Sequence, residues 1–283
     1  MDYLAKIAAP NIGVITNIGP AHLEHFKNLE GVFKEKYSLI NHLQKPGIAV
    51  LNADDSFLKK KLIKIDPKIF TLGFGINIPS DFFATDIRFR GGKQEFSVNQ
   101  RSNFVLNMLG YHNIYNALSA ITIGRIFGVE DKDIAVSLAK FVSPKGRFQF
   151  VEMDEIRFID DTYNSNPLSL THALNALNNF KVSGRKILVM GDMLELGENK
   201  ESYHSQAGAK AAGICDCLIA VGELSQFAAK AALEAGFDLS NLFTCKSSQE
   251  AREILFKIIF PKDDDIVLVK GSRCMKMEEV FKK

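Results

Sequence analysis

The 283 residues read as an α/β protein in two domains, built on sheets of mostly parallel strands. Three observations point there. In the second half, short apolar runs alternate with helical stretches, the pattern of a parallel sheet covered on both faces. In the first half, two buried runs flank a helix, and a glycine pair then separates two alternating segments. Polar clusters interrupt the pattern at element ends, four of them directly after strands, where open α/β sheets hold ligands.

Taken in order, residues 12–16 and 48–51 are apolar enough for buried strands, with a helix over roughly 29–40 between them. Ile87 and Phe89, then Phe96 and Val98, alternate about Gly91-Gly92 and predict a hairpin. A helix runs from about 113 to 127 and stops at Gly128. Ser143-Pro144-Lys145-Gly146 reads as a linker, which places the domains at 1–145 and 146–283. Beyond it, Ile156 and Phe158 lead a strand into Asp160-Asp161. Pro167 opens an amphipathic helix with Leu170, Leu174 and Leu177 on one face and Asn166 as its N-cap. Strands over 187–190, 218–221, 242–245 and 266–269, with helices around 202–212, 226–232 and 250–259, complete a Rossmann-like second domain.

Hydrophobic residues make up 46% and charged residues 24% of the chain, as in ordinary globular proteins. A net charge of +2 gives no electrostatic footprint for nucleic acid. No apolar run is long enough for a membrane span, and Met1-Asp2-Tyr3-Leu4 lacks the features of a signal peptide. The four cysteines are too few for a disulfide scaffold, and Cys215-x-Cys217 has no second pair at metal-site spacing. The expectation is a cytoplasmic protein with reduced, mostly buried thiols.

The densest polar stretch is Asp160-Asp161-Thr162-Tyr163-Asn164-Ser165-Asn166. A capped turn needs only one or two such residues, so seven in a row suggest more than a turn. After the strand at 12–16, Gly19-Pro20 forces a turn and leaves His22 beside the strand end. A neutral imidazole there could ligate a metal or contact a phosphate, although a plain loop histidine is the commoner case. Lys34-Glu35-Lys36 lies on the following helix, where lysines are usually solvated. Asn113 and Asn116 share a helix face; they are caps or a pair reading a purine edge. Arg147, in Gly146-Arg147-Phe148, has the planar fork suited to phosphate. Gly191-Asp192-Met193-Leu194-Glu195-Leu196-Gly197-Glu198 follows the strand at 187–190, with His204 about one helix turn further on, and Lys270-Gly271-Ser272-Arg273 follows the last strand. Together these clusters look like the lining of a cleft.

The strings ITNIGPAHLEHF, GYHNIYNALSA, GRF, DDTYNSNP, VMGDMLELGE and VKGSRCMKME, in this order and at this spacing, resemble the Mur ligases of peptidoglycan synthesis over essentially the whole chain. DDTYNSNP and GDMLELGE are most similar to the branch that adds D-alanyl-D-alanine. The resemblance implies an ATP- and Mg²⁺-dependent ligase with UDP-N-acetylmuramoyl-tripeptide and D-Ala-D-Ala as substrates, working through an acyl phosphate. It implies that the chain holds the central ATPase domain and a Rossmann-like C-terminal domain. Residue by residue, it implies His22 as a Mg²⁺ ligand and Lys36 as a lysine carbamylated to hold a second Mg²⁺. Asn113 and Asn116 fall on the adenine side, while Arg147 and Asp161 meet nucleotide phosphate and ribose. Tyr163, Asn164 and Asn166 face the incoming dipeptide, and Lys36, His22 and Arg147 form the catalytic set.

The departure from the family pattern is a missing G-x-x-x-x-G-K-[ST] P-loop, together with the acidic Mg²⁺ ligand expected before the first strand. The expectation is a central domain without its P-loop portion, inactive alone, with the N-terminal half supplied separately. The alternatives are a sister ligase for another amino acid and a non-catalytic module binding a dipeptide or a partner.

Overall fold

The computed structural model describes residues 1–63, 66–90 and 92–281. Along the chain run α1 (Asp2–Ala8), β1 (Ile12–Ile15), α2 (Leu23–Phe26), α3 (Leu29–Asn41), β2 (Gly47–Asn52), β3 (Ile69–Gly75), β4 (Phe82–Arg90), β5 (Lys93–Val98), β6 (Ser102–Leu106), α4 (Tyr111–Ile126) and α5 (Asp131–Lys140). Then come β7 (Gln149–Met153), β8 (Ile156–Asp161), α6 (Pro167–Asn179), β9 (Lys186–Gly191), α7 (Lys200–Ala212), β10 (Cys217–Val221), α8 (Ser225–Glu234), β11 (Leu242–Cys245), α9 (Ser248–Ile254) and β12 (Ile266–Lys270).

The chain divides into two compact units: Met1–Gly19 with Phe26–Val142, and Pro20–His25 with Ser143–Lys283. Pro20–His25 joins the second unit through bonds such as Glu24 N–H donating to Glu195 O at 3.2 Å, a grouping that sequence periodicity does not register.

The first unit holds a six-stranded sheet in the order β1-β2-β3-β4-β5-β6. Pairing is parallel from β1 to β4 and antiparallel from β4 to β6. β2 is almost wholly buried, whereas β4 largely alternates between half-buried and exposed positions, as expected of a strand with one wetted face. The hairpin expected around Gly91-Gly92 is present: Arg90 pairs with Lys93 and Gly92 has φ +76°, while Gly91 lies outside the described residues. Phe74, Phe96, Phe104, Ile114, Leu118 and Ile121 fill the core between this sheet and α4.

The second unit holds a sheet in the order β11-β10-β9-β12-β8-β7, parallel except for the edge hairpin β7–β8. β9, β10 and β12 are buried along nearly their whole length, which is why they read as unbroken apolar runs. Leu170, Leu174 and Leu177 of α6 are all buried, and Asn166 caps that helix by accepting from Ser169 N–H at 2.9 Å. Helices α7 and α8 touch at Gly208, where a Cβ would stand 1.9 Å from Ala228 O.

Several elements carried too weak a signal to be read from the sequence. β7 is a five-residue edge strand with no fully buried position, and α5 buries only Ile134. β3 carries an exposed Phe70 and two glycines, which break the alternation. Among the described residues no helix is long and apolar enough to cross a membrane. The four cysteines are free: Cys215 and Cys217 are buried, Cys245 is half-buried and Cys274 is exposed.

Candidate functional site

The strand ends of the second unit carry its polar loops. β8 ends at Asp161, β9 at Gly191 and β12 at Lys270, all at the carboxyl edge of one sheet. Register places Lys270 beside Asp161 on one flank and Met190 on the other. The loops that follow therefore emerge side by side and surround a pocket. Asn164, Ser165 and Asn166 line it from the β8 loop, Leu194–Leu196 from the β9 loop, and Ser272, Arg273 and Cys274 from the β12 loop; Ala21 and His22 close it. Four clusters that are far apart in sequence thus meet in one place.

Not every polar residue of the 160–166 stretch points to a ligand. Asp160 is buried and accepts from Thr162 N–H at 3.2 Å and Thr162 Oγ1–H at 2.7 Å, which is turn chemistry. Asn164 Oδ1 accepts from Ser165 N–H, and Asn166 Oδ1 serves as the helix cap. Asp161 accepts from Lys270 Nζ on Oδ2 at 2.6 Å and from Phe148 N–H on Oδ1 at 3.1 Å. Burial raises its carboxyl pKa, and the Lys270 ammonium opposes that rise. Tyr163 projects outward, with the exposed Arg147 guanidinium 4.0 Å from its ring centre. Ser165 is 3% exposed, and its Oγ has no hydrogen-bond partner among the described residues.

His22 sits at φ +55° and its Nδ1 lies 2.5 Å from Glu195 Oε2. An imidazole bonded to a carboxylate can take up a proton and leaves Nε2 available. In the sequence Glu195 is one acidic residue within the Gly191–Glu198 string, and nothing beside it marks a role. Lys270 likewise stands at a strand end, and nothing in its sequence context reveals that it is 2% exposed and bonded to Asp161.

The scaffold under the pocket rests on two buried groups. Asp192 accepts from Ser225 N–H at 2.7 Å and Glu223 N–H at 3.1 Å, and its carbonyl accepts from Ser272 N–H at 3.0 Å. His204 is fully buried: Nε2 accepts from Met193 N–H at 2.9 Å and Nδ1 lies 2.7 Å from Lys200 O. The first bond needs a bare Nε2 and the second a proton on Nδ1, so this histidine is neutral and structural. Burial lowers its pKa, opposed by the Lys200 carbonyl and by Asp192; burial and the Lys270 charge lower that of His172.

A pH dependence follows. Both folded values lie below the ordinary 6.5, so the unfolded chain binds these protons first. Their contribution to stability is complete above about pH 6.5 and falls as pH drops from there toward the lowered folded values. Melting followed by circular dichroism at pH 7.5 and 5.5 is expected to show a lower midpoint at 5.5. A midpoint at pH 5.5 equal to or above that at pH 7.5 would count against neutral burial of the pair.

In the first unit, Lys36 is half-buried on α3 and donates to Asn17 O at 2.9 Å. Burial lowers its ammonium pKa, and the Asp55 charge opposes the shift. Asn52 Nδ2 donates to Thr16 O and Asp55 Oδ2 accepts from Ile18 N–H, so the loop after β1 is held from both sides. Asn113 is buried and donates to Leu109 O at 2.8 Å, while the exposed Asn116 donates to Asn113 Oδ1 at 3.4 Å. The pair is joined, but only Asn116 faces solvent. The proposed metal partners His22 and Lys36 belong to different units. Among the described residues no group of three or more His, Cys, Asp or Glu is placed to hold a metal ion.

Residues 1–124 match the Mur ligase middle domain and residues 146–273 the Mur ligase glutamate ligase domain, consecutive domains of one family. This chain belongs to the Mur ligase family. It is 31% identical, over all of its length, to the UDP-N-acetylmuramoyl-tripeptide–D-alanyl-D-alanine ligase of Bacillus subtilis (strain 168), of which it covers 61%. It superposes on MurF from Acinetobacter baumannii with a TM-score of 0.85 at 31% identity, covering 99% of this chain and 60% of that one. MurF from Thermotoga maritima, solved in complex with ADP, gives a TM-score of 0.85 at 26% identity, covering 99% and 62%. This Mur ligase chain therefore spans about three fifths of the length of the relatives it matches.

Proposed function

We propose that these residues form the central and C-terminal parts of an ATP-dependent ligase that joins D-alanyl-D-alanine to UDP-N-acetylmuramoyl-tripeptide, the reaction for which the Bacillus subtilis relative is named. The observation that carries this reading is the pocket at the strand ends of the second unit. In the reaction, the tripeptide carboxylate takes the γ-phosphoryl group of ATP and ADP is released. The dipeptide amine then adds to the acyl carbon, phosphate leaves and the ammonium proton is lost.

The pocket suits the amine half. Asn164 and Asn166, their oxygens engaged within the chain, offer amide N–H donors, Ser165 offers a hydroxyl and Arg273 a cation, groups that complement the carbonyl, N–H and carboxylate of a short peptide. His22 with Glu195 can receive the proton the amine must lose. On the nucleotide side, Arg147 presents a planar fork for phosphate, and Asp161 is the ribose acceptor, held in place by Lys270 and Phe148. In the first unit, Asn116 is the exposed member of the adenine pair. Cell-wall synthesis in the cytoplasm is the setting.

Mg²⁺, when bound, would neutralise charge on the phosphoryl oxygens. It prefers oxygen ligands in a near-octahedral set, whereas His22 offers one nitrogen and Lys36, as an ammonium, offers no ligand atom. These side chains do not by themselves build a Mg²⁺ site. The lowered pKa of Lys36 enlarges its neutral fraction, the form that combines with CO₂ to give a carbamate.

The 283 residues contain no G-x-x-x-x-G-K-[ST] motif, so this polypeptide by itself is expected to ligate negligibly. Calorimetry tests the rest. D-Ala-D-Ala is expected to bind at least about tenfold more tightly than D-glutamate or diaminopimelate, and its affinity is expected to respond to ADP. Tighter binding of either single amino acid would indicate a sister ligase. Dipeptide binding indifferent to nucleotide would indicate a non-catalytic module.

A further inference from the structure

Lys270 is a buried cation that supports Asp161. It is 2% exposed at the end of the central strand β12, in register with Asp161. Its ammonium makes two bonds into the 160–166 loop at different points: to Asp161 Oδ2 at 2.6 Å and to Asn164 O at 3.0 Å. Asp161 is the proposed ribose contact, and Asn164 lines the amine pocket. Tyr163, held between the two anchors, is the residue on which Arg147 stacks.

We propose that Lys270 is a positioning residue that sets the nucleotide contact and the amine pocket together, by tying Asp161 and the Asn164 carbonyl to one strand end. The physical reason lies in the donor geometry. A lysine ammonium carries three donors on a single atom, so both acceptors are drawn to one point and the chain between them is closed into a fixed loop. An exposed lysine would not constrain the loop in this way, because water would compete for each bond. Here burial excludes water and the Asp161 charge compensates the cation, so breaking either contact leaves a buried charged group short of partners. Ser272, two residues on, extends the same device. Its Oγ accepts from Leu194 N–H at 2.8 Å, which brings the β9 loop to the same strand end.

This inference rests on the ligase reading, and the test separates the two. Wild-type chain, K270M and K270R are titrated calorimetrically with ADP and with D-Ala-D-Ala, well below their melting midpoints. K270M is expected to weaken both ligands by about tenfold or more, and K270R to recover part of each loss by restoring a cation with several donors. If K270M does not fold, K270Q serves instead; its neutral amide can replace one bond at a time and is also expected to weaken both ligands. Folded K270M or K270Q with wild-type affinity for either ligand would overturn the proposal, as would a variant that loses thermal stability alone. A wild-type chain that binds neither ligand would instead overturn the ligase reading.

Discussion

D192A is expected to lower stability by about 3 kcal/mol or more and to weaken D-Ala-D-Ala binding together with it. The Asp192 carboxylate is 6% exposed and accepts two backbone N–H groups, from Glu223 and Ser225. Hydrogen bonds to a charged group contribute about 1.5–3 kcal/mol each, and truncation to alanine leaves the buried Ser225 N–H without an acceptor and breaks the part-buried bond from Glu223 N–H as well. For a chain of this size each kcal/mol moves the melting midpoint by roughly 2–4 °C, so a drop of about 6–12 °C is expected. Ligand binding suffers because the residues after Asp192 form one wall of the pocket and its carbonyl holds Ser272 N–H on another. D192N, which keeps one acceptor oxygen, should lose about half as much. Gly222 belongs to the same arrangement: at φ +108°, its position would bring a Cβ within 2.5 Å of Asp192 Oδ2. A D192A protein that melts and binds as wild type would remove Asp192 from the scaffold assigned to it.

G208V is expected to cost at least as much by a different route. Valine and alanine both form helix better than glycine, with alanine ahead by about 1 kcal/mol, so local propensity alone predicts stabilisation at this position of α7. Packing decides otherwise. The added Cβ would lie 1.9 Å from Ala228 O and 2.5 Å from Ala228 C, both backbone atoms of α8, which cannot turn aside as a side-chain tip would. The two helices must separate, and overpacking of this kind costs about 1–3 kcal/mol, more when backbone has to move. G208A is expected to be destabilising as well, and G208V more so. Gly128 provides the contrast: a Cβ there meets nothing within 4 Å, so G128A costs only the strain of φ +73°, about 1–2 kcal/mol. Thermal melts of the three variants check the order; a G208V chain as stable as wild type would show that α7 and α8 have slack at the contact.

The sequence reads best where local and tertiary forces agree. The parallel strands of the second unit are apolar throughout because both faces are covered, and α6 announces itself by Pro167, the Asn166 cap and three leucines on one face. β7 and α5 are harder to read because each is short and buries little outright: β7 has five residues with no fully buried position, and α5 buries only Ile134. The site shows the same division. Polar residue types after strand ends were visible, since that is where these sheets place ligands. Their individual duties were not, because a carboxylate that caps a turn and one that awaits a ligand have the same letter. Asp160 proved to be occupied with Thr162, and Asn113 with Leu109.

By itself, then, the sequence determined the α/β class, the motif strings that place the chain among the Mur ligases, and the clusters from which a site could be made. Those follow from periodicity and residue type, which are properties of neighbours along the chain. Only the tertiary structure decided that the loops after β8, β9 and β12 share one pocket, that His204 is a neutral support and that Lys270 is a buried clamp. Those depend on strand order and register, which bring Lys270 beside Asp161 across 109 positions of sequence. No local pattern encodes a partner that distant, because the sheet creates the contact.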